Sequence, residues 1–128
     1  MKILADSNVF IDFWRKPTQQ IIDTFASEDI VICGVIKSEL MHGAKSEKEL
    51  KQIISALEVF EELIFDDTDW EKLGKLLFSL RTNGITIPYQ DAIIALLAEK
   101  NNIPVWTKDM HFSYIQKVIP DLQLILIK

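Results

Sequence analysis

KILADSNVFIDFWRKP, which occupies residues 2–17, predicts a strand followed at once by a helix. Lys2–Ala5 is a short, mainly apolar segment typical of a strand, and the helix covers about Ser7–Arg15. Pro17 ends the helix because proline lacks a backbone N–H and clashes with the preceding turn. Asp6 stands at the junction, where the chain leaves the strand. Strands that alternate with helices in this way favour an α/β fold.

The remaining chain continues the alternation. The predicted helices cover about Thr18–Ser27, Val35–Ala44, Ser46–Glu61, Thr68–Gly84, Pro88–Lys100 and Asp109–Gln116, and the predicted strands cover Ile30–Cys33, Val105–Thr107 and Gln123–Ile127. The helices from Ser46 and Thr68 begin with capping boxes, SEKE and TDWE. The strands are continuously apolar, as in a sheet covered on both faces. We therefore predict one domain over residues 1–128, of the α/β class, with a mainly parallel central sheet flanked by helices on both faces.

The charge balance limits how this chain can meet a nucleic acid. It holds 14 Lys and Arg residues against 19 Asp and Glu residues, a net charge of −5. Because bulk attraction to phosphates requires positive charge, contact with RNA or DNA has to be local, through a bound metal and a few basic residues. An acidic surface also suits a basic protein partner.

Composition also bears on location. No apolar run reaches the ~18 residues of a membrane span, and Asp6 and Asp12 interrupt the apolar start, which is unlike a signal peptide. The single Cys33 excludes an internal disulfide and fits a reducing compartment, and its apolar neighbours indicate a buried side chain. We expect a cytoplasmic protein that does not bind a membrane.

Four carboxylates, Asp6, Glu39, Asp91 and Asp109, stand where apolar segments begin or end or lie within an apolar stripe. An unpaired buried carboxylate costs several kcal/mol, so such groups need a cation or a hydrogen-bond donor. Three of the four also have simple structural explanations, since Asp6 and Asp109 can cap helices and Asp91 can favour a helix start. Glu39 is harder to explain in this way, because at 100° per residue it falls in the inward stripe of its helix.

The four acids become informative together. Asp6 and Asp109 follow strands of a predicted parallel sheet, and Asp91 lies at a helix start. Sites in open α/β sheets form beyond the carboxyl ends of the strands, which is where these side chains would meet. Carboxylates that share a pocket suit a hard divalent metal, so the sequence predicts a metal-dependent hydrolase.

Four motifs in order resemble the PIN-domain nuclease family, and specifically its VapC-type members, the toxins of bacterial and archaeal toxin–antitoxin pairs. The motifs are LADSNVFID at 4–12, VIKSELMHGA at 35–44, IPYQDAIIA at 87–95 and WTKDMHF at 106–112. Each motif is weak alone, but together they span the chain. The resemblance implies an acidic cluster of Asp6, Glu39, Asp91 and Asp109, with Asn8 and Thr107 as polar supports.

The resemblance also implies partners: a homodimer, a basic or amphipathic antitoxin segment in the groove, and an RNA substrate (tRNA, rRNA or mRNA). Oxygen-only ligands select Mg²⁺ or Mn²⁺. Our hypothesis has Asp6 and Asp91 as the core metal ligands, Asp109 and Glu39 binding directly or through water, and Glu39 as the candidate base. His42 and His111 vary in the family and are treated as non-catalytic.

Other functions remain open on the sequence alone. The chain can be a housekeeping RNA-processing PIN nuclease, or a non-catalytic protein-binding module in which the acids serve only as helix caps. An aspartyl-phosphate protein is disfavoured. The dehalogenase-like phosphatases need an Asp two residues after the nucleophile, and Asn8 occupies that position after Asp6.

Overall fold

A computed structural model describes residues 1–127, and its five strands form one sheet in the order β3-β2-β1-β4-β5. The strands are β1 (Lys2–Ala5), β2 (Asp29–Cys33), β3 (Glu61–Leu63), β4 (Val105–Thr107) and β5 (Leu124–Leu126). Every neighbouring pair is parallel. Consecutive residues of the central strands are buried although their side chains alternate between faces, so both faces of the sheet are covered. The predicted α/β fold is confirmed.

Seven helices connect the strands of the described chain. They are α1 (Ser7–Arg15), α2 (Gln19–Ser27), α3 (Gly34–His42), α4 (Glu47–Leu57), α5 (Asp69–Thr82), α6 (Tyr89–Lys100) and α7 (His111–Ile115). The Ser46 hydroxyl accepts from the Glu49 N–H at 3.1 Å, which is one half of the predicted capping box. Over residues 1–127, no helix combines the length and the hydropathy that crossing a bilayer requires.

Two sequence predictions about these elements are wrong. The helix expected to reach Glu61 ends at Leu57, and Glu61–Leu63 forms the edge strand β3 beside β2. The segment EEL lacks the apolar run of a central strand because an edge strand is half solvated, and two of its residues are exposed. A search for apolar runs therefore does not detect the boundary between α4 and β3.

The second error concerns the start of α5. Thr68 does not cap this helix with its side chain; its hydroxyl donates instead to Asp66 Oδ1 at 2.6 Å. Asp66 Oδ1 also accepts from the Thr68 N–H at 2.8 Å. An Asp side chain that bonds the backbone two residues ahead competes with a helix cap, and here it replaces the predicted capping box.

The core brings the ends of β1 and β4 together. Trp106 on β4 is 2% exposed, and its ring lies 5.4 Å from that of Phe25, which contacts Phe10 of α1 at the same distance. Cys33 is buried, as predicted. Ala5 pairs with Trp106, and the Asp6 N–H donates to the Trp106 carbonyl at 2.9 Å. The residues that follow these two strands therefore emerge side by side at the carboxyl edge of the sheet.

Candidate metal centre

Asp6 is held at this edge by three donors. Its Oδ1 accepts from the Ser7 N–H at 2.8 Å, and its Oδ2 accepts from the Thr107 hydroxyl at 2.7 Å and from Asn8 Nδ2 at 3.3 Å. The residue is 5% exposed. Burial is the largest influence on the Asp6 pKa and raises it, while the bonds from Thr107 and Ser7 act in the opposite direction. The carboxylate is thus fixed in one orientation while its charge remains costly.

Thr107 joins the two loops that leave β1 and β4. Its side chain is fully buried, and its hydroxyl donates to Asp6 while accepting from the Asp109 N–H at 2.9 Å. Asn8 makes a second bridge, because its Oδ1 accepts from the Lys108 N–H at 3.3 Å. A hydroxyl that has one donor and two acceptor positions suits this double use. Thr107 and Asn8 therefore fix Asp6 and Asp109 relative to each other.

Asp91, Asp109 and His111 form the tightest group of potential ligands in the described chain. His111 Nδ1 lies 3.3 Å from Asp91 Oδ2 and 3.2 Å from Asp109 Oδ1. One donor atom from each side chain lies within 4.8 Å of the other two. Asp109 Oδ1 also accepts from the His111 N–H at 2.9 Å, which anchors the start of α7. Helices α6 and α7, together with the loop between β4 and α7, thus bring three potential ligand atoms close to one another.

Glu39 differs from its expected environment. The helical wheel placed it in an inward stripe, but only its neighbours Ile36 and Leu40 are buried, and Glu39 itself is exposed. The reason is its position on α3, next to an open groove of about 340 Å³ between α1, α3 and α4. A helix that borders a groove presents part of its inward face to solvent. Helical periodicity indicates which face points inward, but it does not reveal that a groove exposes that face.

The acids influence one another electrostatically. The pKa of Glu39 is raised to about 7, first by desolvation from the surrounding protein at the groove wall and then by the charges of Asp6 and Asp91. The pKa of Asp91 is raised to about 6, again by burial first and then by Asp109 and Asp6, with His111 acting against the rise. This mutual repulsion is what clustered carboxylates produce without a cation, and a bound cation reverses it.

The structure thus brings Asp6, Asp91 and Asp109 to one edge. Asn8 and Thr107 are bonded to Asp6, and Glu39 lies near enough for the charges of Asp6 and Asp91 to raise its pKa. The group of three potential ligands within 4.8 Å of one another contains Asp91 and Asp109 but not Asp6, which the hypothesis had named with Asp91 as a core ligand. Sequence reasoning missed His111 as part of the cluster. The available signal was its place two residues after Asp109, at the start of a helix.

The donor set fits a divalent metal. Two carboxylate oxygens and an imidazole nitrogen lie close together, and Asp91 and Asp109 are only partly exposed. The charge of Asp109 helps to raise the pKa of Asp91, and a cation that enters beside these two carboxylates compensates that repulsion. The metal role of each acid remains a prediction.

A five-stranded parallel sheet with acids converging at its carboxyl edge defines an α/β protein with a candidate metal centre. The sequence profile of the PIN domain matches residues 3–118, so the chain belongs to the PIN-domain family. This confirms the PIN-domain family that the four motifs indicated. Among curated proteins, none matches this chain.

Several solved structures share this fold along the full chain. VapBC2 from Rickettsia felis, bound to a DNA fragment from its promoter, has a TM-score of 0.82 at 20% identity and covers 100% of both chains. DNA-bound VapBC from Salmonella typhimurium has a TM-score of 0.80 at 24% identity, covering 98% of this chain and 97% of that one. VapBC-1 from nontypeable Haemophilus influenzae has a TM-score of 0.79 at 23% identity, covering 98% of each. These similarities establish the fold.

Proposed function

We propose that this protein is a metal-dependent endoribonuclease, the toxin of a prokaryotic toxin–antitoxin pair. The observation that carries the proposal is the meeting of Asp6, Asp91 and Asp109 at the carboxyl edge of a PIN-domain sheet, with Glu39 electrostatically coupled to two of them. Family membership supports nuclease chemistry, and the motif resemblance and the solved toxin–antitoxin complexes support the toxin role.

In this proposal Asp91 and Asp109 hold a Mg²⁺ or Mn²⁺ ion, and Asp6 completes the acidic side of the centre. A bound divalent ion supplies charge neutralisation at the scissile phosphate and lowers the pKa of water. The chain's own contribution is orientation: Thr107 holds Asp6 Oδ2 through its hydroxyl and Asp109 through its backbone N–H. Preorganised ligands avoid the cost of gathering repelling charges during the reaction.

Glu39 is the best candidate for a general base. A base works best when its pKa lies near the operating pH, and the pKa of Glu39 is raised to about 7. Its exposure to the groove leaves it open to water and substrate. A base in this position accepts the proton of the attacking water, while the acids at the sheet edge hold the ion.

RNA has to approach through local contacts, because the net charge is −5. Lys108 follows β4 directly and pairs with Asp12 Oδ2 at 2.8 Å, so a cation stands at the rim of the acidic centre. Arg15 lines the groove beside Glu39. We propose that these two residues contact RNA phosphates.

The same groove suits the proposed antitoxin segment. Its lining includes the exposed apolar side chains Ile11 and Trp14, which are 40% and 39% exposed, next to the acids Glu39 and Glu49. An amphipathic, basic segment matches apolar and acidic walls at once. We further propose, from the family resemblance, that the toxin is a homodimer and acts in the cytoplasm.

RNA cleavage by the purified protein with Mg²⁺ or Mn²⁺ tests the nuclease function. We expect Asp6→Asn and Asp91→Asn each to lower the rate by about 100-fold or more, since loss of a charged group at a metal centre removes transition-state stabilisation. Asp121→Asn is the matched control. Asp121 is exposed and precedes β5, so it lies toward the amino ends of the parallel strands, opposite the acidic centre at their carboxyl ends. Wild-type rates in both site variants would refute the assignment.

The biological role needs its own experiment. Induced expression should arrest growth, and co-expression with a small neighbouring gene product should restore it if the protein is a toxin. Cleavage without growth arrest would favour a housekeeping PIN nuclease. A melting temperature that does not change with Mg²⁺ or Mn²⁺, together with no cleavage, would favour a binding module.

A further inference from the structure

We propose, building on the metal-dependent function above, that His111 is a direct ligand of the divalent ion, so that the centre binds Mn²⁺ in preference to Mg²⁺. The ligand set is then two carboxylate oxygens, from Asp91 and Asp109, and one imidazole nitrogen. From the sequence alone, His111 was expected to be non-catalytic.

The distances suit a shared ion. Two ligands bound at about 2.1 Å and at right angles to each other lie about 3.0 Å apart. His111 Nδ1 lies 3.3 Å from Asp91 Oδ2 and 3.2 Å from Asp109 Oδ1. The nitrogen is therefore already close to the spacing of a neighbouring ligand from both oxygens, and one atom of each side chain lies within 4.8 Å of the other two.

The position of the ring follows from the fold around it. His111 is the first residue of α7, and its N–H donates to Asp109 Oδ1. Phe112, the next residue, is fully buried and fixes α7 against the core. The His111 side chain is 48% exposed, so an ion can reach it from solvent. A surface histidine without these restraints would have no fixed relation to the two acids.

A nitrogen ligand changes which ion the centre prefers. Mg²⁺ takes oxygen ligands almost exclusively and keeps much of its water, whereas imidazole suits transition metals. Adding one nitrogen to a carboxylate pair therefore raises the affinity for Mn²⁺ relative to Mg²⁺. The described chain offers a matched control for this effect, because His42 is an exposed histidine in the last turn of α3.

Pulsed electron paramagnetic resonance of the Mn²⁺-loaded protein tests the ligand directly, because a coordinated imidazole gives a nitrogen-14 modulation. We expect this modulation in the wild type and in His42→Asn, and its loss in His111→Asn. Labelling the wild type with nitrogen-15 histidine should replace the nitrogen-14 signal, and this control needs no substitution that could affect folding. The chain has only two histidines, so labelled His42→Asn assigns the signal to one residue.

Calorimetric titration gives the second measurement. We expect His111→Asn to weaken Mn²⁺ binding by about 10-fold or more while Mg²⁺ binding changes much less. A wild type that binds Mn²⁺ and cleaves RNA without nitrogen modulation would overturn the His111 assignment and leave the nuclease function intact. Modulation that persists in His111→Asn would overturn it as well. Absence of both metal binding and cleavage would instead refute the nuclease proposal and the ligand assignment together.

Discussion

Removal of the Thr107 hydroxyl should destabilise the fold and the acidic centre together. Thr107→Val keeps the shape of the side chain but removes its three hydroxyl hydrogen bonds: the 2.7 Å bond to Asp6 Oδ2, the 2.9 Å bond from the Asp109 N–H and the long 3.4 Å bond from Asn8 Nδ2, which also donates to Asp6. Thr107 is fully buried, so water does not replace them. A bond to a charged group contributes about 1.5–3 kcal/mol, and an N–H left without a partner costs roughly a further 1 kcal/mol. The expected loss of stability is about 2.5–4 kcal/mol.

Urea denaturation without added metal measures this loss. With a slope of about 2 kcal/mol per molar, the midpoint should fall by about 1–2 M. Thr107→Ser is the control, since it keeps the hydroxyl and removes only a methyl group, worth about 1 kcal/mol. A Val variant as stable as the wild type, or a Ser variant as unstable as the Val variant, would show that the hydroxyl does not connect the two loops energetically.

Three further predictions follow from charge and from backbone conformation. The pKa of Glu39 is raised to about 7 and that of Asp91 to about 6, so both side chains bind protons more tightly in the folded state than in the unfolded state. Their contribution to the stability of the metal-free protein should therefore fall as the pH rises from about 4 to about 7. Mn²⁺ binding has the opposite pH dependence, and titration calorimetry should show tighter binding at pH 8 than at pH 5. Equal affinities at these two pH values would contradict the raised pKa values. Glu39→Gln should lower the rate of RNA cleavage by about 10²–10⁴-fold and leave the Mn²⁺ affinity nearly unchanged, because Glu39 is proposed as a base and not as a metal ligand. A parallel loss of Mn²⁺ affinity would indicate a ligand instead. In α5, Gly74 has open space where a Cβ would stand, so Gly74→Ala should stabilise the protein by about 1 kcal/mol in a thermal melt, whereas Gly84→Ala should destabilise it by about 1 kcal/mol because Gly84 has φ +74°.

The fold was predictable from sequence where elements carry strong local signals. The strands Lys2–Ala5, Ile30–Cys33 and Val105–Thr107 are apolar runs, and the structure has strands at these places. Edge strand β3 escaped prediction because Glu61 and Glu62 gain their strand conformation only by pairing with Val31 and Ile32 of β2. Such pairing is a tertiary property, and the local sequence has no independent preference that reveals it.

The candidate site was also predictable only in part. Each acid could be recognised from an unusual position in a local pattern, and the parallel order of the strands explained why Asp6 and Asp109 would converge. The exposure of Glu39 was not predictable, because it depends on a groove formed by three separate helices. The contact between Asp91 and His111 was not predictable either, since it joins residues 20 positions apart through the packing of α7 on α6.

Opposing influences on the pKa of Asp6 explain why its hydrogen-bond donors matter as much for cation binding as the acids do. Burial and the charge of Asp109 favour the protonated form, while the donors Thr107 and Ser7 favour the carboxylate. Without those donors the balance moves towards the neutral acid, which no longer supplies a negative charge beside the proposed ligands. Cation binding then loses that attraction or has to release a proton from Asp6, and affinity falls even though every acid is still present. The buried hydroxyl of Thr107 therefore connects the stability of the fold to the charge state of its acidic edge.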